Sequence, residues 1–262
     1  MYRALVASIL LVAPGLDAQD RVTALVAQGD SLHDVLEPAA ALAAYERALA
    51  LDATLHDPWW KAARSQVDVA KQITGDGDSV TGVRDSMYSV ARDYAERAIA
   101  ADSTGANGWF ALALALGQLS RTKGGNERIR FAREIYEACA RGLRLDSAHS
   151  GLHHILGGWH AEVRRLSGFT RFIAKTIMGA GFLGKGSWDS AVAHLERSVA
   201  LDPDYLFHRL ELAAVYVDVQ RYADAREQLH RIAGLPPTSD VMDPVYKEEA
   251  AALLEEIAGR DP

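Results

Sequence analysis

Cysteine is almost absent from this chain of 262 residues: Cys139 stands alone, so no internal disulfide staples the fold. Long apolar runs are missing as well. Past the amino terminus no stretch approaches the roughly 18 uninterrupted apolar residues of a membrane-spanning helix, so none is expected in the mature chain. There is no basic block either, because 28 Lys and Arg face 35 Asp and Glu, net charge -7, with both signs interspersed. That balance argues against nucleic acid as a partner. Period-two alternation is confined to short runs such as AAVYVDV and TRFIAKTI, too little for a sheet. What is present is a 49% hydrophobic chain able to bury a real core, which excludes disorder and fibre.

The first 20 residues have their own pattern. Arg3 is an early cation, Ala4 to Val12 are largely apolar, Pro14-Gly15 break the run, and Leu16-Asp17-Ala18 precede Gln19. This reads as a secretory signal peptide over residues 1–18, cleaved after Ala18, leaving residues 19–262 as an exported, periplasmic repeat domain. With no second cysteine, such a domain rests on helix packing, and Cys139 is expected to be buried.

Repetition is the main signal. From Phe172 to Pro237 two lines fall into register at a spacing of 34 residues, matching Gly179 with Ala213, Phe182 with Tyr216, Trp188 with Tyr222, Ala191 with Ala225, Leu195 with Leu229 and Pro203 with Pro237. Small residues where two helices touch, bulky ones beside them and proline at the close form the tetratricopeptide pattern. Earlier units are longer. Their B helices end at Asp52, Asp102, Asp146 and Asp202, spaced by 50, 44 and 56 residues. Gly29, Ala41, Tyr45 and Ala48 mark the first hairpin. Trp59 follows in a second A helix that Asp57 can cap, then Tyr88, Ala91 and Ala98, and then Trp109, Ala113 and Leu116. TGDGDS at residues 74–79 and RTKGGN at residues 121–126 read as surface loops. The helix carrying Gly157 has no evident B partner before Phe172. The expected fold is all-α, a tetratricopeptide-like solenoid of about five helical hairpins with a capping helix from Pro244 to Ile257.

The order ANGWFALALALGQLS, then GLRLDSAHSGLHHILGGWHAEV, then WDSAVAHLERSVALDPDYLFHRLELAAVYV resembles the regulator-of-microtubule-dynamics family of tetratricopeptide-like proteins. The likeness covers most of the mature chain and is strongest from Tyr94 to Leu235. It implies an all-helical repeat fold and no known enzymatic activity. A basic residue commonly stands in that family where this chain has Gly158. The microtubule association in the family's name is not carried over to a chain with an export signal.

Three motifs bear on chemistry. Residues 179–185, GAGFLGK, satisfy a Gly-x-Gly-x-x-Gly fingerprint and the start of a phosphate-binding loop. Gly186 stands where that loop needs Ser or Thr, and no parallel sheet is expected to hold it, so helix contact and turn explain the glycines better. His149, His153 and His160 share a helix face that could hold a metal, with His154 beside them. In repeat register His153 and His160 fill seam positions of ordinary core histidines. Carboxylate and arginine pairs four apart, Asp93 with Arg97 and Glu227 with Arg231, read as solvated helix faces.

The remaining candidate is the groove that A helices line in this fold. The register projects Trp60, Arg64, Asp68, Phe110, Gln118, His154, Glu162, Phe207, Leu210 and Asp218 onto it. Aromatic anchors with flanking charges suit a peptide or extended protein segment, so the function expected is a non-enzymatic, cofactor-free protein-binding scaffold of the cell envelope. A metal- or small-ligand-binding enzyme built around His153, His154 and His160 with Glu162 is the alternative.

Overall fold

The computed structural model describes residues 17–75, 77–167 and 181–260. They form α1 (Ala18–Asp34), α2 (Pro38–Leu51), α3 (His56–Lys71), α4 (Asp78–Ala101), α5 (Ala106–Ser120), α6 (Gly125–Leu145) and α7 (Ser150–Arg165). A 3-10 turn over Gly181–Lys185 leads into α8 (Trp188–Leu201), α9 (Leu206–Asp218), α10 (Tyr222–Gly234) and α11 (Asp243–Glu256). No strand occurs among the described residues. The hairpins are α1 with α2, α3 with α4, α5 with α6, α7 with α8, and α9 with α10, and α11 packs on the last pair. The fold is the all-α helical-hairpin solenoid that the repeats predict, with a terminal helix covering an end no further repeat would cover.

One turn, used repeatedly, keeps the units in register. Asp52, Asp102 and Asp146 each end a B helix in extended backbone. Their carboxylates accept hydrogen bonds from the backbone N–H of Thr54 (2.9 Å), Thr104 (2.8 Å) and Ala148 (2.9 Å). Such an aspartate turn stops the helix and aims the chain into the next one. A second lock follows it. Trp59 Nε1 donates to the Ala53 carbonyl (2.9 Å) and Trp109 Nε1 to the Ser103 carbonyl (3.1 Å); His153 Nε2 lies 3.1 Å from the Ser147 carbonyl, and Arg209 Nε donates to the Pro203 carbonyl (2.7 Å). The four donors occupy one register position, each tying the start of an A helix to the turn before it.

The seam between A and B helices needs small side chains, and Ala63, Ala113, Gly157 and Ala213 supply them at a common position. A Cβ on Gly157 would lie 2.6 Å from Leu195 Cγ, so α7 and α8 approach as closely as a backbone allows. This corrects the register expected for the fourth hairpin. Its A helix is α7, and the counterpart of Ala213 is Gly157; Gly179 lies outside the described residues. Trp188, Ala191 and Leu195 do match Tyr222, Ala225 and Leu229. The long connection between α7 and α8 hid their pairing.

Smaller expectations are met or corrected locally. Cys139 is fully buried on α6, and burial pushes its thiol well above the ordinary range. Gly75 and Gly77 sit at positive φ in the exposed loop before α4. Asp57 does not cap α3, which begins one residue earlier without a side-chain cap; its carboxylate instead accepts from Trp60 Nε1 at 2.8 Å. Arg231 pairs with Glu227 at 3.0 Å as expected, whereas Asp93 pairs with Arg92 at 3.1 Å and the Arg97 guanidinium lies over the Trp59 ring.

Candidate binding groove

Successive A helices α3, α5, α7 and α9 touch one another, whereas the main contacts of the B helices are with A helices. The A helices therefore line the inner, concave side. Trp60, Arg64 and Asp68 rise along α3 and Phe110 and Gln118 along α5. His154 and Glu162 follow on α7, and Phe207, Leu210 and Asp218 on α9.

The two ends of this surface differ. At the amino-terminal end Trp60 is half-buried, with the Arg64 guanidinium 5.2 Å from its ring centroid and the Lys61 ammonium at 5.7 Å. Lys61 is held by Asp30 and Asp57, both at 2.8 Å. Arg64 Nε is buried without an acceptor. Phe110 is less available, because its ring packs 4.9 Å from the His149 ring and against Gly151 of α7.

The carboxyl-terminal end is filled by the chain itself. Tyr246 of α11 stacks on Phe207 with centroids 4.5 Å apart and an interplanar angle of 11°. His154 lies against both Phe207 (4.6 Å) and His208 (4.8 Å), and burial pulls its pKa down to about 4. Leu210 belongs to the buried core of the last hairpin. Asp240, in the loop before α11, is only 6% exposed; its carboxylate accepts from the Tyr205 hydroxyl and lies 4.0 Å from Lys71 Nζ on α3. Lys71 also pairs with Asp68 at 3.4 Å. Burial pulls the Lys71 ammonium down, but the charges of Asp68 and Asp240 outweigh it and hold the pKa above the ordinary range. Asp68 is raised, by burial first, despite Lys71. Of the residues projected onto the groove, Asp68, His154, Phe207 and Leu210 are thus committed to an internal closure between the second hairpin and the capping segment. Lys71, Tyr205, Asp240 and Tyr246 complete that closure. No periodic signal marked Asp240, which lies in a loop.

Further down the same face Arg165 binds Glu162 and Asp218, each at 2.7 Å, with Glu211 at 3.6 Å. Burial lowers the Arg165 pKa, but these three carboxylates outweigh it and raise it overall.

The histidines of α7 and its cap do not share one site: only His153 and His160 meet, at His194 of α8. His149 Nε2 turns to Asn107 Oδ1 at 3.0 Å, His154 faces the groove, and His153 turns the other way toward α8. His153 Nδ1 lies 2.9 Å from His194 Nδ1. With Nε2 of His153 donating to the Ser147 carbonyl, its Nδ1 is the acceptor and His194 the donor. His160 stacks on His194 at 5.8 Å and 9°. The arrangement uses imidazole as a packing and locking group at a position where Trp stands in two other hairpins. No group of three metal-ligating side chains forms among the described residues, and the site imagined around His153, His154 and His160 is split between two faces of α7.

The phosphate-loop likeness dissolves in the same way. Gly181–Lys185 is a 3-10 turn, Leu183 is buried, and the Lys185 ammonium sits 4.5 Å from the Tyr136 ring centroid. Gly179 and Ala180 lie outside the described residues. No described helix is long and apolar enough to cross a membrane.

Comparison with known proteins agrees with this architecture. A thermophilic tetratricopeptide protein from Thermus thermophilus, TTC0263, superposes with a TM-score of 0.62 at 20% identity, covering 89% of this chain and 99% of that one. Pseudomonas aeruginosa pilF superposes with a TM-score of 0.54 at 14% identity, covering 92% and 93%. At such identities the likeness shows the fold alone. No individually curated protein matches the chain. The family model for regulator of microtubule dynamics protein 1-3 matches residues 25–258, from α1 through α11, and the chain belongs to that family.

Proposed function

We propose that the chain is a non-enzymatic protein-binding scaffold, exported to the cell envelope after cleavage behind Ala18, that docks a partner segment on the amino-terminal part of its concave face. The observation carrying this reading is the Trp60–Arg64 pair. A half-buried indole with a guanidinium 5.2 Å from its ring centroid offers apolar area and an orienting charge in one place. Gln118 and Glu162 continue the polar edge of the same face, while Tyr246 and Asp240 occupy the other end. A partner therefore lies across α3 and α5 rather than along the whole array.

The test is crosslinking of the full chain in the native envelope fraction, with crosslinked residues and the mature amino terminus read by mass spectrometry. Crosslinks on α3 and α5 that vanish in a folded Trp60→Ala, Arg64→Ala double variant are expected, on chain beginning at Gln19. Capture that survives those substitutions places the interface elsewhere. A chain still beginning at Met1 removes the export part of the proposal.

A further inference from the structure

Four consecutive A helices carry a cation at one register position at or just past their last turn: Lys71, Arg121, Arg165 and Arg221. Three residues before each stand Asp68, Gln118, Glu162 and Asp218. Where that earlier residue is acidic, the row is knitted together. Lys71 takes Asp68, Arg165 takes Glu162 and reaches across to Asp218, and Arg221 takes Asp224 (2.6 Å) and Glu196 (3.3 Å). The exception is α5. Gln118 is neutral, and Arg121 is exposed with no carboxylate in ion-pair distance among the described residues. The nearby Glu211, whose titration feels Arg121, is engaged by Arg165 instead.

A cation at a helix C-terminus complements the helix dipole, which explains why Arg121 is basic. It does not explain why only this member of the row lacks a carboxylate. Lys71, one hairpin earlier, shows what the position accepts, since Asp240 reaches it from a loop rather than from a neighbouring A helix. An extended segment can therefore present a carboxylate to this row.

We propose that Arg121 is the anion-recognition point of the groove and that the partner is an acidic protein segment, one Asp or Glu of which pairs with the Arg121 guanidinium. This rests on the scaffold reading above and adds the charge of the partner to it. A guanidinium binds a carboxylate through two parallel N–H donors, so the pairing also sets the register of the bound segment.

The experiment pans a random decapeptide library on the purified full chain and on Arg121→Glu, with Arg121→Gln as a milder variant. Because Arg121 is exposed, Arg121→Gln is expected to keep nearly the wild-type thermal melt, and Arg121→Glu to lower it slightly while staying folded, since it reverses the charge at the α5 C-terminus and near Glu211. Wild-type chain should enrich peptides with Asp or Glu at one fixed position, and their affinity should fall about tenfold in either variant. Arg121→Glu should enrich Lys or Arg at that position instead. Acidic peptides that bind all three forms alike, or enriched peptides without an acidic position, overturn the proposal. If those peptides are still lost in the Trp60→Ala, Arg64→Ala variant, the groove itself stands. A library that enriches nothing overturns both.

Discussion

A methyl group added to Gly157 would fall 2.6 Å from Leu195 Cγ and 3.1 Å from the Ala191 carbonyl oxygen, whereas one added to Gly158 meets nothing nearer than Glu211 Oε1 at 3.9 Å. The first is a seam between two backbones that cannot part without breaking the hairpin. The second is a helix position that merely lacks a side chain. Gly157→Ala should therefore cost about 1–3 kcal/mol by overpacking, and Gly158→Ala should gain up to about 1 kcal/mol of helix propensity. Urea titration of the two variants decides it, and equal effects would refute the assignment of α7 as the A helix of the fourth hairpin. Gly157 could be read from sequence as a close-contact residue. Its partner could not, because the connection from α7 to α8 is far longer than in the other hairpins and the 34-residue repeat pointed to Gly179.

Between elements, the α7–α8 interface is held partly by imidazoles, and this makes it sensitive to acid. Burial, with repulsion from His153 and His160, pulls His194 down to about 4, and burial also lowers His160. In the unfolded chain a histidine titrates near 6.5. As pH falls from about 6.5 to about 4 the unfolded chain takes up protons that the folded chain refuses, so stability contributed by the neutral ring is present above 6.5 and is lost through that window. The urea midpoint should drop across this range, and His194→Gln should flatten the drop; an unchanged slope would remove His194 from the account. The sequence displayed the histidines at seam spacing. It did not display that His153 takes over the carbonyl lock that Trp59 and Trp109 make, which depends on how each A helix leaves its turn.

At the scale of the whole molecule, the second hairpin and the capping segment are joined across the concave side by Lys71 and Asp240. Asp240→Asn leaves Lys71 with Asp68 as its one remaining ion-pair partner among the described residues. Breaking a buried pair costs about 3–5 kcal/mol when a charge is left uncompensated; with Asp68 still paired to Lys71 the cost here is smaller, about 1–3 kcal/mol. A loss of this order is expected in urea, with faster amide exchange over residues 235–243; native-like exchange there would show that the closure contributes nothing. Four of the ten residues projected onto the groove, Asp68, His154, Phe207 and Leu210, are spent on this closure, which a register counted along single helices cannot reveal.

The chain by itself determined the helices, the small residues of their seams and the aspartate turns between them, because these depend on neighbours three, four or seven residues away. It also held the row of Lys71, Arg121, Arg165 and Arg221, visible once positions are counted from the aspartates. Only the tertiary structure decided which helices form the fourth hairpin, which way each histidine turns and which end of the groove is closed. Those outcomes depend on contacts between residues far apart in the chain, such as Lys71 with Asp240, whose approach is set by the summed geometry of every hairpin between them.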